Sequence, residues 1–187
     1  MTTTVTELPC LSYGVHSTTA NNLILFNDSV DHAISVGSGD DIIFGGGGND
    51  VIMGGAGNNR LYGGKGFDVI TGGEGDDKIE GGQGNDLLNG GGGKNEFVFA
   101  AYAKSGSGFD GDDTITDFKV ADVLTIVGGY KVEDLFASPK LMQDATEGGV
   151  AGVKLFYANN GASIFLQNFS KAQLRPANFH VIESTLQ

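Results

Sequence analysis

Between Val36 and Val98 an apolar residue returns at every ninth position: Ile43, Ile52, Leu61, Ile70, Ile79, Leu88 and Phe97. Glycines, carboxylates and amides fill the intervals, and the phase never slips. In register the segment is seven contiguous units, VGSGDDIIF (36–44), GGGGNDVIM (45–53), GGAGNNRLY (54–62), GGKGFDVIT (63–71), GGEGDDKIE (72–80), GGQGNDLLN (81–89) and GGGGKNEFV (90–98). A strict period with fixed chemistry at fixed phases describes a stack of equal coils, each burying its apolar residue against its neighbours. Positions one to six read as a glycine-rich turn, and positions six to nine as a brief strand with position eight turned inward. Two half-turns make a coil of about 18 residues, so turns that far apart stack at roughly the 4.8 Å strand spacing. The fold class expected is all-β, a parallel β-roll or solenoid.

Position six carries the chemistry. Stacking sorts its residues into two columns: Asp50, Asp68 and Asp86 in one, and Asp41, Asn59, Asp77 and Asn95 in the other. Each turn offers a side-chain oxygen. The carbonyls of Gly37, Gly39, Gly46, Gly48, Gly55, Gly57, Gly64, Gly66, Gly73, Gly75, Gly82 and Gly84 are further donors beside it. Hard oxygen donors in that number suit Ca2+ and not zinc or a redox metal. The gaps between stacked turns predict about five calcium sites, weaker in the mixed column because Asn lacks the charge. Asp40 and Asp76, at position five, add negative potential there without acting as ligands. A flexible linker would not repeat an apolar residue every ninth position, and a phosphate-cradling loop would not carry a negative charge in almost every turn.

The outward position seven divides the same way. Val51, Val69 and Leu87 make an apolar ladder, and Arg60, Lys78 and Glu96 a charged one. The apolar ladder is expected to be covered, by the C-terminal strands or by another molecule.

The flanks complete a three-part division. Residues 1–35 read as an N-terminal cap: Leu25 and Ile34 continue the inward phase, with Leu23 and His32 at position six and no glycine turn. Residues 99–187 read as a C-terminal β-rich region, beginning with a loop at 105–113. Strands are expected at 114–118, 122–127, 153–158, 163–168 and 179–182, the third and fourth flanking the turn Asn159-Asn160-Gly161. A short helix is expected at 132–137, and another from Ser170 to before Pro176. The cluster Asp110-Gly111-Asp112-Asp113 reads as a solvated loop in preference to an ion site, because the EF-hand spacing is not met.

The unit G-G-x-G-x-D-x-U-x, seen across 36–98, resembles the repeats-in-toxin (RTX) calcium-binding β-roll family. Beyond the repeats, DDTITDF (112–118), ADVLTI (121–126) and LQNFSKAQLRPANFHV (166–181) resemble the region C-terminal to the repeats in RTX proteins. The resemblance implies a parallel β-roll binding Ca2+ in its turns, and export by type I secretion through an uncleaved C-terminal signal. The start of the chain has no basic region or apolar core of a cleaved signal.

A net charge of −12 and pI near 4.4 argue against nucleic acid as a partner and agree with cation binding. No stretch is long and apolar enough to span a membrane. Cys10 is alone and reads as a spectator thiol, and His16, His32 and His180 form no catalytic spacing. The expectation is a secreted, extracellular or cell-surface calcium-binding protein without catalytic residues, folding when it meets Ca2+. The alternatives are an auxiliary module for an anionic, alginate-like polysaccharide, using Arg60, Lys78, Phe44 and Tyr62, and a self-assembling matrix or surface-layer protein binding copies of itself.

Overall fold

A computed structural model describes residues 3–4, 15–16, 19–100, 110–128, 131–138, 140–157 and 162–182. Successive strands alternate between two sheets. One takes β1 (Thr3–Thr4), β3 (Asn22–Leu25), β5 (Ile42–Gly47), β7 (Arg60–Lys65), β9 (Lys78–Gln83), β11 (Glu96–Ala100), β13 (Val123–Val127) and β17 (Phe179–Ile182). The other takes β2 (Val15–His16), β4 (Ala33–Ser35), β6 (Val51–Ala56), β8 (Val69–Glu74), β10 (Leu87–Gly91), β12 (Asp112–Ile115) and β16 (Ser163–Gln167). An antiparallel edge of β15 (Val150–Phe156) and β14 (Met142–Glu147) completes that second sheet. Apart from this edge every pairing among the described residues is parallel, giving a β-roll as the period requires.

Register puts position eight in two continuous rows. Ile24, Ile43, Leu61, Ile79, Phe97, Leu124 and Phe179 line one sheet, and Ile34, Ile52, Ile70, Leu88, Ile115 and Leu166 the other. All are buried. Where the regular repeat ends the core becomes aromatic: Phe97 meets Phe118 at 6.1 Å, and Phe118 meets Phe169 edge-on at 5.2 Å.

The strands are longer than the expected four residues. They run from position seven through position three of the next unit, leaving only positions four to six as turn. Glycine at position one stays extended and serves closeness instead: a Cβ at Gly63 would stand 2.6 Å from the Gly81 carbonyl oxygen. Positive φ is required at positions two and four, as at Gly64 (+121°) and Gly66 (+120°).

The N-terminal phase is displaced by one residue. Asn22 takes position six in place of Leu23, and Ile24 is buried while Leu25 is 41% exposed. The coil from Asn22 to Asp41 is 19 residues, and that extra residue moves the inward side chain of β3 from Leu25 to Ile24. Ile34 and His32 keep their expected places.

The C-terminal strands do not cover the apolar ladder. They extend the same sheet edge-on through β12 and β16, leaving Val51 44% exposed and Val69 and Leu87 half-buried. The expected helix is present as α1 (Val132–Ala137), and the second is replaced by two 3₁₀ turns, Lys171–Gln173 and Pro176–Asn178. The backbone N–H and hydroxyl of Ser170 both donate to Gln173 Oε1. Cys10, residues 105–109 and the hairpin tip 159–161 lie outside the described residues.

Candidate metal centre

The position-six side chains form two buried hydrogen-bonded ladders. In the Asp column the N–H of Asp50 donates to Asp68 Oδ1 at 2.8 Å, that of Asp68 to Asp86 Oδ1 at 2.9 Å, and that of His32 to Asp50 Oδ1 at 2.8 Å. In the mixed column Asp41 donates to Asn59 Oδ1 (3.0 Å), Asn59 to Asp77 Oδ1 (2.8 Å) and Asp77 to Asn95 Oδ1 (3.0 Å). One oxygen of every side chain is thus committed to the coil before it. All seven expected residues are brought into these ladders, and none is more than 2% exposed.

The second atom of each side chain separates Asp from Asn. Among the described residues the Oδ2 atoms of Asp41, Asp50, Asp68, Asp77 and Asp86 are buried without a hydrogen-bond partner. Asn59 and Asn95 have Nδ2 in that place, and it donates to the carbonyls of Gly57 (3.3 Å) and Gly92 (2.9 Å). The amide orientation is forced, because Oδ1 must accept the N–H of the preceding coil. An Asn turn therefore satisfies itself. An Asp turn instead sets a carboxylate oxygen among other acceptors, an arrangement that needs a cation or a proton.

Electrostatics agree. Burial raises the carboxyl groups of Asp41 and Asp50 above the usual range, against the lowering effect of the N–H bonds they accept. It raises Asp68 and Asp77 to about 6 and Asp86 to about 7.

The nearby backbone oxygens belong chiefly to position one, which sequence reasoning passed over. The Gly63 carbonyl stands 2.7 Å from where a Cβ of Gly45 would lie, beside Asp50 Oδ2, and Gly90 O is placed in the same way beside Asp77. Of the expected position-two carbonyls, those of Gly37 and Gly73 already accept sheet N–H groups. No three His, Cys, Asp or Glu side chains converge on one point among the described residues. A cation here would be held by two stacked turns and their backbone oxygens, which suits the coordination number and flexibility of calcium. A groove of about 460 Å³, bordered by Asp40, Asp76, Arg60, Lys78 and Lys94, opens the mixed column to solvent ions.

Sequence reasoning missed the continuation of both ladders. Asp113 accepts the Asp86 N–H at 2.8 Å and Asp122 accepts the Asn95 N–H at 2.9 Å. Asp113 is buried, so the reading of 110–113 as a solvated loop is wrong for that residue. Each step spans 27 residues instead of 18, so period counting passes over it.

Fold and ladder together define a parallel β-roll with a column of unsatisfied carboxylates. The RTX calcium-binding nonapeptide repeat family matches residues 35–70 and 62–97, so about a third of the chain, residues 35–97, belongs to this repeat family. No curated protein matches the sequence. Among solved structures, the extracellular lipase LipA from Serratia marcescens is similar at a TM-score of 0.41 and 15% identity. That likeness covers 91% of this chain and 40% of the lipase chain.

Proposed function

We propose that the protein is a secreted, non-enzymatic calcium-binding module whose roll folds when it meets extracellular Ca2+. The observation that carries this is the set of buried, unpartnered Oδ2 atoms, one on each Asp turn of the repeats and none on an Asn turn among the described residues. Four lie in gaps between repeats: Asp41 and Asp77 in the mixed column, Asp50 and Asp68 in the Asp column. The gap above Asn59 needs no ion. At 1–10 mM calcium and site constants of roughly 10⁻⁴ M, each site adds about 1.4–2.7 kcal/mol. Four such sites give several kcal/mol, comparable with the whole stability of a small domain. A chain unfolded in a low-calcium cytoplasm and closed outside suits export through a narrow channel, which supports type I secretion. The division into a cap (1–35), a roll (36–98) and a C-terminal capping and secretion region (99–187) belongs to the same reading. Among the described residues no helix is long and apolar enough to cross a membrane. The experiment is native mass spectrometry of the full chain against calcium concentration. Cooperative uptake of several ions per chain is expected, and a chain that takes up none refutes the proposal.

A further inference from the structure

The two ladders have four ends, and the protein's own donors close three of them. At the start of the mixed column Asn22 gives Asp41 Oδ1 both its backbone N–H (2.6 Å) and its Nδ2 (2.7 Å). At the start of the Asp column His32, stacked on Phe26 at 3.8 Å, sets Nδ1 3.1 Å from Asp50 Oδ1. At the far end of the mixed column both oxygens of Asp122 accept N–H groups, from Asn95 at 2.9 Å and Lys119 at 2.8 Å.

The fourth end is built differently. Asp110-Gly111-Asp112-Asp113 lies beyond the residues matched by the repeat family, yet it reproduces a repeat turn. Gly111 has φ +95°, as position-four glycines do. The Gly84 N–H donates to the Asp110 carbonyl at 3.0 Å, as that of Gly57 does to Glu74 at 2.8 Å. The Asp112 N–H reaches Asn85 Oδ1 at 3.0 Å, the position-five bond seen between Asp76 and Asn58 at 2.9 Å. Asp113 fills position six, 2% exposed.

Against this turn stands Asp86, also 2% exposed, whose Oδ2 has no hydrogen-bond partner. By the register of the other Asp turns that oxygen faces the next coil, the one ending in Asp113. No ion pair among the described residues joins Asp86, Asp110, Asp112 or Asp113 to a cation. The fully buried side chain of Tyr157 lies beside Asp110 and Asp113.

We propose that the gap between the Asp86 and Asp113 turns is a further divalent-cation site, suited to calcium by its oxygen donors, that ties the repeat stack to the C-terminal region. The carboxylates of Asp86 and Asp113 hold the ion, and Asp110 and Asp112 deepen the negative potential around it. Occupancy offsets the charges of Asp86 and Asp113 at the junction from which β12 and β16 continue the second sheet. The site rests on the reading that the repeats themselves bind calcium.

Asp86→Asn is the informative variant. Asn fills position six at Asn59 and Asn95, accepting the backbone N–H and satisfying itself, so the fold should survive. The gap before it keeps Asp68 Oδ2, as the gap before Asn59 keeps Asp41 Oδ2. Native mass spectrometry of the calcium-saturated full chain should show one ion fewer in Asp86→Asn than in wild type. With Tb3+ in place of calcium, tyrosine-excited emission should fall in Asp86→Asn. It should fall equally in Tyr157→Phe, which keeps the full ion count. Equal ion counts in wild type and Asp86→Asn overturn this site alone, and so does emission that Tyr157→Phe leaves unchanged. A wild type that binds no calcium overturns the repeat reading as well.

Discussion

If calcium is needed because carboxylates are buried without partners, protons should replace it. Burial raises Asp68 and Asp77 from 3.8 to about 6 and Asp86 from 3.8 to about 7. At about 1.4 kcal/mol per pKa unit, and discounted for solvent screening, keeping these three ionised in the closed roll costs several kcal/mol. That is comparable with the stability of a typical domain, so the calcium-free roll should be open at pH 7.5. The folded-state values lie above the unfolded ones, so the closed roll binds more protons. Its stability is greatest below about pH 4 and is lost as pH rises through 6 to 7. At pH 5 roughly half of the cost should be lifted, by the same linkage. The assay is far-UV circular dichroism in chelator at pH 7.5 and pH 5, kept above the pI of 4.4, with sedimentation to confirm a monomer. A gain of β signal at pH 5 without calcium is expected. A chelated chain equally unfolded at both values would refute the electrostatic reasoning, because protonation would then have relieved nothing.

Three further outcomes rest on particular contacts. Asn59→Asp turns a self-satisfied position into an unpartnered carboxylate, so calorimetry should show one additional calcium ion and a higher calcium requirement for folding. Ile70→Ala removes a fully buried side chain from a row with no room to collapse, and should cost about 2–5 kcal/mol in calcium-saturated denaturation. Val69→Asp should cost under about 1 kcal/mol in the same assay, because its ladder borders solvent and its neighbour Val51 is 44% exposed.

Much of the fold was legible in the chain because one period states three things at once. It marks Ile43 to Phe97 as core, Asp41 to Asn95 as stacked columns, and glycine as the residue between them. Strand boundaries were not legible, because glycines that signal a turn elsewhere serve here to let two coils approach. Nor was the slip at Asn22, since counting back by 18 reaches Leu23 and a single added residue leaves no local mark. Asp113 and Asp122 escaped because their coils span 27 residues, and β14 because Met142–Glu147 is largely polar and pairs only as a sheet edge. The difference between Asp and Asn turns was read as a difference in charge alone. The structure adds that Nδ2 of Asn59 donates to the Gly57 carbonyl, so that this turn carries no unpartnered side-chain atom.

The most direct measurement compares divalent ions on the full chain at pH 7.5. Circular dichroism should show the β signal lost in chelator and regained with Ca2+. Equal Mg2+ should not restore it, because Mg2+ demands octahedral geometry and gives up its water reluctantly. A β signal that chelator leaves unchanged would contradict the claim that buried carboxylates make this fold conditional on calcium.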